Sequence, residues 1–370
     1  MSAARPVVLF STGPLKETDN PYLHELVAGL GAHADIRFLD PWTALRLRAD
    51  VVHVHWPHQL VRGATRLRTL VKLLTSTVLL LRVARGRVPV VLTVHNLASH
   101  ETGSRAERLL ARFLDRLVSV RVYLNEAEHN DTSRGVVVLH GSYRPWLERT
   151  ASLDDGRAAY VGGAVLFGML RPYKGIERVV EAATAAHVPV LVAGRPVEAT
   201  YAAELRALAD RSPGVELAAR HVPDDELVRM IRARDLVVLP YEGMYNSGAL
   251  LYALAVGRPV LVPRSPANLA LQAEVGPAWV ALHDPPLTAE VLRDALVAAR
   301  DAARAGPPPL DRRGWGTGVD LHRRVYATVE ASPWRRRLRD PDGDQRANRR
   351  RLAADPAFGL HSSRNAGPEG

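Results

Sequence analysis

The chain has 370 residues, 47% of them hydrophobic, and no cysteine. That supplies roughly two to three domains with real cores, which excludes bulk disorder; the missing cysteine excludes a disulfide framework, a thiolate metal site and a cysteine nucleophile. Lys and Arg number 49 against 39 Asp and Glu, a formal net charge of +10, which favours phosphate-bearing partners: nucleotides, nucleic acid or anionic lipid.

The first residues, M-S-A-A-R-P-V-V-L-F-S, hold too short an apolar run for a secretory signal, and no run reaches the ~18 apolar residues of a membrane-spanning helix. Val7–Phe10 reads as a buried strand, followed by a loop with Gly13 and a helix near Pro21–Leu30. Val51–His55, Val88–Val94, Ser119–Leu124 and Val136–Leu139 continue the strands, with helical stretches between them. After a polar linker at 148–158 the pattern restarts at Val165–Gly168, Val188–Ala193, Val215–Ala218, Leu236–Pro240, Pro259–Pro263 and Ala278–Leu282. Such alternation predicts an α/β protein of two tandem Rossmann-like, doubly wound parallel-sheet domains, at 1–150 and 158–310. Ligands bind beyond the carboxyl ends of such strands, so two facing domains would make a cleft. A helix is expected within 311–330. Residues 331–370 carry +4 of the net charge with little apolar periodicity, and read as a loosely ordered, Arg-rich tail.

One helix stands apart. In the stretch 62–87, Leu67, Leu70, Val71, Leu74, Val78 and Leu81 fall on one stripe, with Arg62, Arg66, Arg68 and Lys72 on the flanks and the opposite face. Two compatible readings stay open: a sheet-covering helix with a solvated face, or a basic amphipathic helix in peripheral contact with an anionic membrane.

Three segments carry chemistry. After Leu236–Pro240 comes Y-E-G-M-Y-N-S-G, then a helix, Ala249–Val256. Asn246 or Ser247 is a good N-cap, Gly248 admits a ligand close to the backbone, and free N–H groups at that helix start bind phosphate. Phe167–Gly175 (F-G-M-L-R-P-Y-K-G) puts Arg171 and Lys174 on a loop at a strand's carboxyl end, where two cations suit a diphosphate. In T-V-H-N-L-A-S-H-E, His95 ends a strand, placed to act as a base or to bond a sugar hydroxyl. His53 and His55 share a strand face, but no third-ligand spacing makes them a metal site. G-x-G-x-x-G, the G-x-x-x-x-G-K-[ST] phosphate loop and the G-x-S-x-G elbow are absent.

At these residues the chain resembles a GT-B-fold glycosyltransferase of the broad family 4 type. The likeness rests on F-G-M-L-R-P-Y-K-G, on V-A-G at 192–194, on R-D-L-V-V-L-P-Y at 234–241 and on A-L-A-V-G-R-P-V at 253–260. The T-V-H-N-L-x-x-H-E stretch resembles a subgroup acting in polysaccharide or glycolipid assembly, some of it mannosyltransferases. The likeness covers roughly residues 5–330. It implies a nucleoside-diphosphate sugar donor, GDP- or UDP-linked, and a lipid-linked, polysaccharide or glycoconjugate acceptor, handled at the inner membrane face by a cytoplasmic enzyme. Arg171 and Lys174 would neutralise the donor diphosphate, and Asn246, Ser247 and Gly248 would form the phosphate turn. His95 and Asn96 would lie beside the transferred sugar and acceptor. Gly13, Gly168, Gly194, Glu242, Met244 and Tyr252 would lie on the nucleotide or sugar side. No metal or other cofactor is expected, since in this fold cations and a helix N-terminus replace the divalent ion.

The chain departs from the family's Glu-x7-Glu pattern. Met244 and Tyr252 occupy the two acidic positions, and Glu242 lies two residues early, which leaves donor identity and stereochemical outcome open. Two other readings compete: a nucleotide-sugar epimerase, and a non-catalytic or degenerate binding protein. No nucleic-acid partner is expected, because the Arg-rich tail lacks interleaved aromatics and a base-reading module.

Overall fold

Strand segments such as V-V-H-V and A-V-L-F are buried along their whole length, as parallel strands covered on both faces require. This computed structural model describes residues 5–17, 19–63, 65–96, 104–127, 130, 131, 133–151, 160–241, 245–304, 306–332 and 340–359. The first part of the chain runs β1 (Val7–Phe10), α1 (Pro21–Gly31), β2 (Asp35–Phe38), α2 (Pro41–Arg46), β3 (Val51–Val54), α3 (Arg66–Gly86), β4 (Val90–Val94), α4 (Arg105–Leu117), β5 (Val118–Tyr123) and β6 (Gly135–Val137). Then come α5 (Arg144–Thr150), β7 (Ala164–Phe167), α6 (Ile176–Ala186), β8 (Val190–Ala193), α7 (Ala199–Asp210), β9 (Val215–Ala218), α8 (Asp224–Arg232), β10 (Leu236–Val238), α9 (Gly248–Val256), β11 (Val260–Pro263), α10 (Pro266–Val275), β12 (Val280–His283) and α11 (Ala289–Arg304). The chain closes with α12 (Trp315–Glu330), α13 (Pro341–Ala353) and α14 (Pro356–Gly359).

Two six-stranded parallel sheets result, ordered β2-β1-β3-β4-β5-β6 and β12-β11-β10-β7-β8-β9. The second has the 3-2-1-4-5-6 order of the doubly wound nucleotide-binding fold. Strand β2 (D-I-R-F) escapes the sequence reading. It is an edge strand without a fully buried residue, so it lacks the apolar run of the central strands.

The chain divides into one unit of 1–141 with 313–370 and another of 142–312, which differs from the boundaries expected from sequence. The short helix α5 falls in the second unit, not the first. Its Trp146 indole donates to Asp224 on α8 at 2.7 Å, a tie invisible to a boundary drawn on polarity. The expected C-terminal helix returns to the first unit as α12. Val319 of α12 packs so close to Gly29 of α1 that a Cβ there would lie 2.4 Å from Val319 Cγ2.

The loosely ordered tail is also corrected over 340–359, where α13 packs on β5 and β6. Its Asn348 amide donates to the Ser119 carbonyl at 3.0 Å, and Arg134 reaches Asp342 at 3.0 Å. Leu352, Gln345 and Asn348 are buried. Polar side chains do most of this docking, so hydropathy periodicity gives no warning of it.

The face of α3 turned to the core carries Ser76, Leu79, Leu80 and Val83. The apolar stripe points the other way: Leu67, Leu70, Val71, Leu74 and Leu81 are 45–71% exposed. Hence α3 covers the sheet, but with a different face from the one its hydrophobicity marks.

Candidate functional site

In the second unit β7 and β10 are neighbours, with Leu236 beside Ala164 and Val237 beside Val165. From β7 the sheet continues outward through β8, and from β10 through β11. Their carboxyl ends therefore flank the switch point where such sheets bind ligands. The loops leaving these strands are 168–175 and 239–247.

Loop 168–175 is built to hold a cation. Gly168 has φ +103° and Gly175 φ +65°, and Leu170 buries itself while its N–H donates to the Arg195 carbonyl at 2.9 Å. The turn Pro172–Lys174 then brings the Lys174 ammonium inward. A Cβ on Gly168 would sit 3.1 Å from Lys174 Nζ, so the glycine leaves room for the ammonium. Lys174 is only 8% exposed. Burial first, and then the neighbouring Arg171 charge, lower its pKa to about 8. Arg171 is half-buried, with its Nε 3.2 Å from Met169 Sδ.

Tyr241 joins this loop to the other. Lys174 Nζ lies 5.4 Å from the Tyr241 ring centroid, a cation–π contact. The Tyr241 hydroxyl lies 2.7 Å from Ser247 Oγ, and Ser247 caps α9 by accepting from Leu250 N–H at 3.2 Å. The buried cation and the α9 N-terminus are thus gathered at one end of the sheet. Gly248 opens the helix; a Cβ there would meet the Tyr143 hydroxyl at 2.9 Å. Asn246 is half-buried beside Ser247.

Other expected donor-side residues sit differently. Gly194 (φ +146°) approaches the backbone so closely that a Cβ would lie 1.9 Å from the Gly168 carbonyl oxygen; it shapes the loop base. The Tyr252 hydroxyl donates to Asp224 Oδ1 at 3.0 Å, and its ring lies 5.5 Å from that of Phe167, so it ties α9 to α8. Glu242 and Met244 lie outside the described residues, as does 97–101 of the histidine stretch.

In the first unit β1 and β3 are neighbours and part toward β2 and β4. His95 follows β4 and is buried, stacked on Trp56 (centroids 4.2 Å apart, 22° between planes) and edge-on to Tyr22 at 5.3 Å. Its Nε2 lies 3.2 Å from His55 Nδ1, and the His55 N–H donates to Ser11 Oγ at 3.3 Å. His53 bonds Tyr326 through Nδ1 at 2.7 Å and Thr93 through Nε2 at 2.8 Å. Burial holds the pKa values of His53, His55 and His95 well below the usual imidazole range, with neighbouring histidines adding to the effect, so all three are neutral at pH 7. Among the described residues no group of three His, Asp or Glu is set to hold a metal. Asn96 is exposed, and Gly13, past β1, has open space where a Cβ would go.

Sequence reasoning missed Tyr241 and the partnership of His55 with His95. The first sat in plain view at the end of L-V-V-L-P-Y. For the second the signal was the H-V-H alternation, which puts both rings on one side of β3 and its extension.

Comparison with known proteins gives three findings. Residues 163–297 match the family model described as glycosyl transferases group 1. The chain is 36% identical over 329 residues to the GDP-mannose:glycolipid 4-beta-D-mannosyltransferase of Xanthomonas campestris pv. campestris, spanning 88% of this chain and 93% of that one. Its fold resembles the Anabaena protein Alr3699/HepE, solved with UDP and glucose (TM-score 0.61, 15% identity, 88% of this chain and 100% of that one). It also resembles the sucrose-phosphate synthase of Thermosynechococcus elongatus (TM-score 0.59, 14% identity, 88% and 100%).

Proposed function

The chain belongs to the group 1 glycosyltransferases of GT-B fold, and on that premise we propose that it transfers mannose from GDP-mannose to a glycolipid, forming a β-linkage. The observation that carries this reading is the 36% identity to the Xanthomonas mannosyltransferase across 93% of that enzyme's length. Both the residues before α9 and those before α6 supply what a departing diphosphate needs. Lys174, Arg171 and the capped α9 N-terminus stabilise the charge that grows on GDP as the glycosidic bond breaks, more in the transition state than in the ground state. On this reading the donor needs no metal, because the protein itself supplies the positive charge.

GDP-mannose is an α-linked donor, so a β-mannoside requires one displacement with inversion. The acceptor oxygen bonds to the anomeric carbon, the bond from that carbon to the diphosphate oxygen breaks, and the hydroxyl proton passes to a base. In the first unit His95 has the chemistry for that base: it is neutral at pH 7 and ends a central strand. It serves in the tautomer whose Nε2–H donates to His55 Nδ1, which leaves Nδ1 to accept the proton. His55 then acts as a positioning residue.

The test is mannosyl transfer to a glycolipid extract from GDP-mannose, set beside UDP-glucose and other nucleotide sugars, with the product anomer read by NMR. A β-mannoside formed from GDP-mannose is expected, and His95→Ala should lower kcat by ~10² or more. Turnover with a different nucleotide sugar, or an α-product, would overturn the donor and the inversion respectively.

A further inference from the structure

We propose that the outer face of α2, α3 and α4 is a docking surface for an anionic phospholipid bilayer. Eight of the fifteen large hydrophobic side chains most exposed among the described residues lie on these three helices: Trp42 and Leu45 on α2, five on α3 and Leu109 on α4. On α3 they form one stripe roughly 100° wide at 100° per residue, opposite the buried Ser76, Leu79, Leu80 and Val83. Helix α3 packs along α2 on one side and α4 on the other. A helix whose second apolar stripe lies outside the core has that stripe for something else.

Charge decides what covers it. Helix α3 holds five basic residues and no acidic one. On α4, Arg105, Arg112 and Arg116 share the outward stripe with Leu109. The acids of α4 are taken up elsewhere, Glu107 by Arg62 at 3.2 Å and Asp115 by Arg121. Beyond Leu81, a groove of about 770 Å³ is lined by Arg37, Arg48, Arg82 and Arg85 and by one acid, Asp50; Arg37 is paired with Asp35 at 2.8 Å, so the excess there is still basic. A face whose excess charge is basic calls for an anionic partner. Leucines framed by arginines suit a helix lying in the headgroup layer, with apolar side chains in the acyl region and guanidinium groups at the lipid phosphates. Trp42, with the Arg46 guanidinium 5.7 Å from its ring centroid, is the amphipathic type that seats at such a boundary. No helix among the described residues is long and apolar enough to cross a membrane, so contact is by lying on it. This inference uses neither the donor nor the acceptor assignment.

Vesicle flotation of the full chain tests it. At low salt the protein should float with vesicles of equimolar phosphatidylcholine and phosphatidylglycerol, and bind pure phosphatidylcholine far less. The doubly substituted Leu70→Glu, Leu74→Glu protein should lose binding by about tenfold or more with an unchanged melting temperature, since both positions are solvent-exposed. Arg105→Glu with Arg112→Glu and Arg116→Glu should erase the preference for the anionic vesicles. Wild type that fails to float, or a Leu70/Leu74 variant that floats as well as wild type, would overturn the proposal. So would a light-scattering dimer dispersed by the leucine substitutions without any flotation, which would assign the face to a second copy of the chain.

Discussion

An ammonium held away from water loses hydration that an anion or a ring face can replace, and burial is what makes Lys174 and Arg171 unequal although three residues apart. Lys174 is buried, its pKa is lowered to about 8, and it rests against Tyr241; Arg171 is half-buried beside Met169. Lys174→Ala is therefore expected to cut kcat/KM by ~10² or more, and Arg171→Ala by less. The sign of the pH effect follows. A bound diphosphate favours the ammonium and raises its pKa, so GDP binding near pH 8 should take up a proton, and affinity should fall as pH rises above about 8. Calorimetry in two buffers of different ionisation enthalpy reads this directly. Affinity independent of pH from about 7 to 9, with no proton exchange, would remove Lys174 from the diphosphate site. Both cations were legible as residues at a strand's end; their inequality was not, since burial depends on where Tyr241 and Gly168 lie.

At the scale of elements, the loop after β7 is held by two glycines that touch. Gly194 at +146° and Gly168 at +103° let the ends of β8 and β7 pass at a distance no Cβ fits. Gly194→Ala should destabilise the second unit by more than about 3 kcal/mol and lower nucleotide binding with it; a thermal melt like that of wild type would contradict the close approach. The family resemblance of V-A-G at 192–194 placed Gly194 on the donor side. Only the packed sheet shows that its neighbour is backbone. Helix α3 teaches the same lesson from the other direction. Its period was plain, yet the stripe was set against solvent, because a helix can bury Ser76 beside three aliphatics when Ser76 donates to the Leu60 carbonyl at 2.7 Å.

For the whole molecule, the decisive difference is the return of the C-terminal segment to the first unit. Removing 333–370 strips α13 from β5 and β6. It also uncovers Ser119, leaves Arg134 without Asp342, and exposes the seat of Leu352. The truncated chain is expected to lose on the order of 3–5 kcal/mol, read as a lower melting temperature. An unchanged melt would mean α13 adds nothing to the unit it packs on. The family places the chain among transferases, so neither the epimerase reading nor the degenerate one is needed.

Sequence alone determined the two parallel α/β sheets, because buried strands and their alternation with helices are written in local runs of residues. It also determined the turn at 168–175 and the capped start of α9 at Ser247, because glycine, proline and N-capping residues act locally. Tertiary structure decided that Tyr241 links Lys174 to Ser247, that His55 holds His95, that α3 turns its leucines outward and that α12 and α13 return to the first unit. Those outcomes depend on residues 6 to 229 positions apart, and contact at such separations is settled by packing, which no local pattern encodes.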